Sequence, residues 1–286
     1  MPQRPDLPGC YDINSTAPAE LNNTSDLAMS SIKLYPPKPK KVYFFGTCLV
    51  DLFYPDAGMA GIQLLEREGI EVIFPQDQTC CGQPAYTSGY HDQAREVAAA
   101  QLALFPEDYL IVLPSGSCAG MMREHYPELF AGYPEEALAQ EISGRIYELT
   151  EFLLHVCHMQ IEDKGEPIRV AMHTSCSARR EMGLGDVGPS LLGKMANVEV
   201  VEQERMKECC GFGGAFSVRH PEISEAMVTD KVAAIAATGA DAMITSDCGC
   251  MMNITGAAEQ MENQGQDSNF KGEHIASFLW RRCHGS

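Results

Sequence analysis

Cysteine is the residue type here whose spacing points to chemistry, and the chain holds twelve of them. Cys48, Cys80, Cys81 and Cys118 form one set; Cys176, Cys209 and Cys210, with Cys248 or Cys250, form a second in the same order. Between Cys48 and Cys80 lie 31 residues, and between Cys176 and Cys209 lie 32; from Cys81 to Cys118 there are 36, and from Cys210 to Cys248 there are 37. Each adjacent pair runs into glycine, in CCGQP at 80–84 and CCGFGG at 209–214. Recurring thiols at matched spacing favour metal binding over packing as small apolar side chains. Four thiolates suit an iron–sulfur cluster, and glycines such as Gly82, Gly211, Gly213 and Gly214 let backbone N–H groups reach the sulfurs and tune a potential. The same donors suit tetrahedral zinc, so the residue types alone leave the metal open.

The ends of the two sets differ. Ser115 and Ser117 precede Cys118 in PSGSC, whereas SDCGC offers both Cys248 and Cys250 as the last ligand of the second set. Cys10, Cys157 and Cys283 fall outside the repeat and are expected to be non-ligands. His173 and His220 flank the second set and are expected to hydrogen-bond or pack rather than ligate. Met121–Met122 and Met251–Met252 follow the last cysteines as thioether filler at helix starts, and Arg179 and Arg180 suit either a substrate carboxylate or an exposed helix start. The glycines of CGFGGAF lack both the G-x-G-x-x-G spacing and a Walker lysine, which argues against nucleotide binding. With no flavin or nicotinamide fingerprint and no Ser-His-Asp order, no self-contained active site is evident, and an oxidising centre is expected on a partner.

Positioning these thiols falls to the strands before them. VYFFGT at 42–47, EVIFP at 71–75 and YLIVLP at 109–114 read as strands, with GIQLLEREG and HDQAREVAAAQLALF as the helices between. The order recurs after residue 167, in RVAMHT, VEVVEQ and DAMITS as strands with PSLLGKMA and EISEAMVTDKVAAIAATG as helices. Strands alternating with helices predict an α/β fold of two tandem, pseudo-symmetric Rossmann-like modules with parallel sheets, whose post-strand loops emerge at one edge. The segment from Pro134 to Met159 reads as two helical stretches, and HIASFLWRR near the end as a helix packing back on a sheet. The expected division is a flexible arm over 1–40, a first module over 41–163 with a helical connection, and a second over 164–286.

Composition narrows the class. Apolar residues make up 45% and charged residues 21%, as in ordinary folded domains. A formal charge of −18 without a basic block argues against nucleic acid as a partner. No long apolar run and no signal-like N-terminus is present, so no transmembrane segment is expected and the reading is cytoplasmic, with peripheral attachment at the inner membrane face left open. A reducing compartment favours metal over disulfides for so many cysteines.

The motifs TCLVD, CCGQPAYTSGY, PSGSC, YELTEF, HTSC, CCGFGGAFSV, MVTDKV and DCGCMMNI carry a family resemblance over about Lys41 to Trp280. The chain resembles the cysteine-rich CCG domain family, and within it the lactate utilization protein A group, also described as the LldE subunit of L-lactate dehydrogenase complexes. The pattern is similar too to the CCG-bearing subunit of heterodisulfide reductase and the iron–sulfur subunit of glycolate oxidase. That resemblance implies iron, as one or two [4Fe–4S] clusters per chain on Cys48, Cys80, Cys81, Cys118, Cys176, Cys209, Cys210 and Cys248 or Cys250. It implies an electron-transfer role in oxidising L-lactate to pyruvate, beside a ferredoxin-like iron–sulfur subunit and a third small subunit, with electrons reaching the respiratory chain. A quinone- or heterodisulfide-reductase-type subunit and a non-catalytic, metal-stapled binding module are the alternatives. The arm and the incomplete Cys-x-x-Cys motifs depart from the full family pattern.

Overall fold

The computed structural model describes residues 33–266, 268 and 270–284. The chain divides into Met1–Leu34, of which only Lys33 and Leu34 are described, and Tyr35–Ser286, which carries both sheets. Most of the expected arm, Cys10 included, lies outside the described residues.

Two four-stranded sheets, each with all neighbours parallel, make an α/β fold of two similar modules. In the first, β1 (Lys41–Phe44), β2 (Glu71–Ile73), β3 (Leu110–Leu113) and β4 (Ile146–Glu148) are ordered β2-β1-β3-β4. In the second, β5 (Ile168–His173), β6 (Val198–Val201), β7 (Ala242–Thr245) and β8 (Lys271–His274) are ordered β6-β5-β7-β8. The central strands are the apolar runs: Ile111, Val112 and Leu113 of β3 are fully buried, as is Ile244 of β7, because parallel strands are covered by helices on both faces. The edge strands β2 and β6 keep charged Glu71 and Glu199 exposed.

Sequence periodicity finds three strands in each module and misses the fourth. YELTEF contains β4 and KGEH is β8, three- and four-residue strands that turn directly into helices, so no alternation accumulates to separate them from helix. Their last residues are partners in the two sheets: Glu148 pairs with Leu113 and His274 with Thr245. Both side chains are buried and both cap the helix that follows. Glu148 accepts from the N–H groups of Thr150 at 2.8 Å and Glu151 at 3.1 Å, and His274 Nδ1 accepts from the Ala276 N–H at 3.1 Å. That bond puts the His274 proton on Nε2, which lies 3.0 Å from the Pro114 carbonyl and 3.2 Å from that of Ser246, and so ties the second sheet to the first.

The two modules exchange helices. The helix Ile275–His284, which follows the second sheet, packs on the first module's Pro55–Arg67 rather than on its own sheet alone, and Leu149–Glu151, which follows the first sheet, packs on the second module's Val187–Leu192. One apolar core therefore runs from Phe44 and Leu64 through Phe152 and Leu191 to Phe278. The exchange is pinned by the buried Arg282 and the covered side chain of Asp163: Nε and Nη2 each donate to the carboxylate at 2.7 Å, and Nη1 donates to the Glu166 carbonyl at 2.7 Å. Burial opposes ionisation of Asp163, yet Arg282 and the N–H groups of Asn197 and Gly165 outweigh it and hold the carboxyl below its usual range. Tyr35 stacks on His155 at 4.5 Å, adding a further layer over the exchanged segment.

Asp163→Asn leaves a buried guanidinium without its counter-charge and should lower unfolding stability by about 3–5 kcal/mol in denaturant titration. Glu148 supplies a pH test. Burial, with the charges of Asp247 and Glu151, pushes its carboxyl up to about 7 against the hydrogen bonds of Thr150 and Glu151. A raised carboxyl favours the folded state fully only below its unfolded value near 4.5, and that advantage is lost as pH rises to about 7. Glu148→Gln, which keeps an acceptor for the capping N–H groups, should therefore gain on the native protein across this window, by on the order of 3 kcal/mol. A flat difference between the two unfolding curves from pH 4.5 to 7 would refute it.

Candidate metal centre

Parallel strands deliver their following loops to one sheet edge, and in each module the cysteines sit at that edge. Cys48 begins the helix Cys48–Phe53 after β1, Cys80 and Cys81 lie in the loop after β2, and Cys118 lies in the helix Gly116–Gly120 after β3. Sulfur contacts link Cys48 to Cys80, Cys80 to Cys81, and Cys81 to Cys118. In the second module they link Cys176 to Cys209, Cys209 to Cys210, and Cys210 to Cys250. Of Cys248 and Cys250, the two cysteines left open by the sequence, Cys250 is the one in contact with Cys210. Helix starts explain the contact. Ser115 and Asp247 are the N-cap residues after β3 and β7, so three residues on from each cap stand Cys118 and Cys250, whereas Cys248 matches Gly116.

Each set concentrates negative charge on its middle thiol. Hydrogen bonds from Cys48 and Cys81, with the Gly82 N–H at 3.4 Å, draw Cys80 down to about 3. Contacts from Cys176 and Cys210, with the Gly211 N–H at 3.4 Å, draw Cys209 down to about 2. The partner thiols Cys48, Cys81, Cys176 and Cys210 are pushed up in return, as expected when sulfurs share one proton network. Gly82 and Gly211 have φ of 87° and 86°, and a side chain there would meet the Ala94 carbonyl at 3.1 Å or the Ser224 carbonyl at 2.8 Å, which accounts for the glycine after each pair. Thr47, just before Cys48, also has positive φ, at 63°, a strained conformation for a β-branched residue at the mouth of the first set.

The sets face each other across a cavity of about 360 Å³ lined by cysteines of both, by Cys248 and by Phe212 and Leu49. Asp247 joins its two sides. Its Oδ1 accepts from the Ser115 hydroxyl at 3.0 Å and the Ser117 N–H at 2.9 Å, while Oδ2 is buried without a partner. Gly116 allows this approach, because a Cβ there would stand 2.6 Å from that of Ala178. Burial and Asp247 push the Cys248 thiol up, which keeps it neutral beside the cavity.

His173, at the end of β5, is buried with both ring nitrogens unpartnered, and its ring nitrogen, Cys210 Sγ and Cys250 Sγ all lie within 4.8 Å of one another. These donors converge closely enough to hold a metal ion. Burial lowers His173 to about 3, leaving a neutral ring with one N–H to donate. Lys231 is fully buried nearby and donates to Gln203 Oε1 at 3.3 Å and to the Arg205 carbonyl. Its position escaped the sequence analysis because it falls within the helix Pro221–Ala236 at a site that periodicity assigns to core. Burial and Arg179 pull Lys231 down, while Glu208, Cys210 and Cys176 act the other way. Arg179 is half-buried rather than at a free helix start, donating to the Thr174 carbonyl; Arg180 is exposed. His220 is exposed and tilts against Phe216 at 5.2 Å, away from the sulfurs. Cys157 and Cys283 are buried in the shared apolar core, with Cys157 pushed up to about 12 by burial.

Paired parallel modules that each gather four cysteines at the carboxyl edge define a duplicated cysteine-rich α/β protein. The CCG cysteine-rich domain matches this chain twice, over residues 42–123 and 170–255. Lactate utilization protein A of Shouchella clausii (strain KSM-K16) is 45% identical over 83% of this chain and 98% of its own length. The protein of that name from Bacillus subtilis (strain 168) is 42% identical over 84% of this chain and 98% of its own length. The chain belongs to the lactate utilization protein A family of CCG cysteine-rich domain proteins. A hypothetical protein from Helicobacter pylori shares the fold, with a TM-score of 0.60 at 13% identity over 88% of this chain and 51% of that one. Among the described residues, no helix is long and apolar enough to cross a membrane.

The glycine requirement is directly testable. Gly211→Ala should cost at least about 1–2 kcal/mol, since it adds left-handed strain to the clash with Ser224. Gly256→Ala, in open space on the helix Cys248–Asn263, should instead stabilise by about 0.5–1 kcal/mol, so thermal melts of the two variants move in opposite directions.

Proposed function

We propose that this chain is an iron–sulfur electron-transfer subunit in the oxidation of L-lactate to pyruvate. The observation that carries the reading is the pair of matching four-cysteine sets opening on one cavity, with a glycine N–H on the central sulfur of each. Convergent thiols with backbone N–H donors suit the sulfur-rich surface of a [4Fe–4S] cluster, and neither set has the fifth cysteine of a full Cys-x-x-Cys motif: Ser115 and Asp247 occupy that place. One cluster would be held by Cys48, Cys80, Cys81 and Cys118, and the other by Cys176, Cys209, Cys210 and Cys250, within modules spanning 41–163 and 164–286. Cys248 stands beside the cavity as a non-ligand.

Bound clusters would supply one-electron chemistry. The residues of the chain hold the sulfurs, line the cavity with Phe212 and Leu49, and fix the gap between modules through Ser115 and Asp247. Lactate oxidation removes two electrons, and hydride or proton abstraction needs a centre that this chain's residues do not assemble. That work falls to partners, the ferredoxin-like iron–sulfur subunit and third small subunit that the family resemblance implies, with electrons leaving toward the respiratory chain from the cytoplasmic side.

Protein purified without oxygen should be brown and contain about eight iron and eight sulfide per chain if both sets hold a [4Fe–4S] cluster. Cys250→Ser should lose half of the iron, whereas Cys248→Ser keeps it. Stoichiometric zinc without iron would overturn the electron-transfer reading in favour of a metal-stapled binding module. Deletion of the gene should abolish growth on L-lactate and leave growth on pyruvate intact; unimpaired growth on lactate would point to a quinone- or disulfide-reducing role.

A further inference from the structure

The two sets have the same sulfur frame but opposite surroundings. Position by position, three groups beside the second set have no counterpart of like charge or polarity beside the first. His173 and Phe45 each stand three residues before the leading cysteine, and Arg179 and Asp51 three residues after it. Lys231 and Gln101 also correspond: Gly82 abuts Ala94 and Gly211 abuts Ser224, and seven residues beyond those contacts stand Gln101 and Lys231. Both are fully buried and both brace the loop that leads into the adjacent cysteines. Gln101 Nε2 donates to the Thr79 hydroxyl at 2.7 Å, and Lys231 donates to Gln203 and the Arg205 carbonyl.

Beside the second set a buried cation faces the sulfurs. The fields of Cys210 and Cys176 reach Lys231 and that of Arg180 reaches Cys176, while the neutral His173 ring, close to Cys210 and Cys250, offers an unpartnered N–H. Glu208 opposes them from outside, where it is paired with Arg205 at 2.6 Å. Asp247, buried between the modules, takes its two hydrogen bonds from Ser115 and Ser117 on the first side, while its charge acts on Cys248 and His173 on the second. Adding an electron makes a cluster more negative, and a buried cation or an N–H dipole stabilises that state more strongly in a low-dielectric site than in water.

We propose that Lys231 and the unpartnered His173 make the second site the higher-potential electron sink, so that electrons cross this chain from the first cysteine set to the second. The inference rests on the cluster reading above. In the transfer, one electron leaves the first site, which is oxidised, and enters the second, which is reduced, with no bond to protein formed or broken. A one-electron iron–sulfur donor refills the first site, and a quinone or second iron–sulfur acceptor empties the other.

The test is an anaerobic potentiometric titration of the full chain followed by EPR, with Cys48→Ala and Cys176→Ala variants assigning each signal. Two steps are expected, the higher from the second site. Lys231→Gln, which installs the first site's residue, should leave the second site at least tenfold less reduced at the native midpoint, a downward shift of about 59 mV for a one-electron couple. His173→Phe should shift the same signal downward and spare the other, while Gln101→Lys should raise the first. Equal midpoints, a higher first site, or a second-site midpoint unmoved by both Lys231→Gln and His173→Phe in iron-replete protein would overturn the inference and leave the cluster reading intact. Protein without iron would overturn both.

Discussion

A parallel sheet has a polarity that an antiparallel one lacks. Every strand ends on the same side, so every loop that follows a strand opens on the same edge, and the residues at those loops become neighbours whatever their separation in the chain. Cys48, Cys80 and Cys118 meet for this reason alone, as do Cys176, Cys209 and Cys250. The rest of the structure serves that convergence. Buried central strands β1, β3, β5 and β7 fix the height of the edge, Gln78 and Gln203 tie the cysteine loops to the Phe44 and Met172 carbonyls, and left-handed glycines turn each adjacent pair inward.

Duplication then creates a second level of organisation. The modules are joined through a shared core and exchanged helices, and the buried pairs Asp163–Arg282 and Ser115–Asp247 bind residues that are more than a hundred positions apart. Burial gives such pairs a geometry-keeping role whose net contribution is small while intact and whose loss is costly. For two cysteine sets facing one cavity, these pairs fix the gap between them. His274 works to the same end, because its single N–H lies between a carbonyl of each module.

Pseudo-symmetry of the frame does not extend to its charges. One half surrounds its sulfurs with Phe45 and Gln101, the other with His173 and Lys231, and a carboxylate sits between them. Similar donor sets in different fields are chemically different sites.

Much of this was legible in the linear chain because local patterns record it. Alternating apolar runs and helices carried the α/β class, the two Cys-Cys-Gly motifs carried both thiol sets, and the glycine after each pair was readable as access for a backbone N–H to the sulfur, while its left-handed backbone was not. The strands β4 and β8 were not, since three or four residues that pass straight into a helix have no period of their own. Counting residues left Cys248 and Cys250 both open, and the helix caps at Ser115 and Asp247 bring Cys250 into contact with Cys210. The importance of Lys231 and His173 likewise depended on folding, because burial and missing hydrogen-bond partners belong to three-dimensional surroundings. Residue type and spacing thus determined which groups could gather, being properties of the covalent chain; which of them touch, and in what field, was decided by packing, through contacts between segments that the sequence holds far apart.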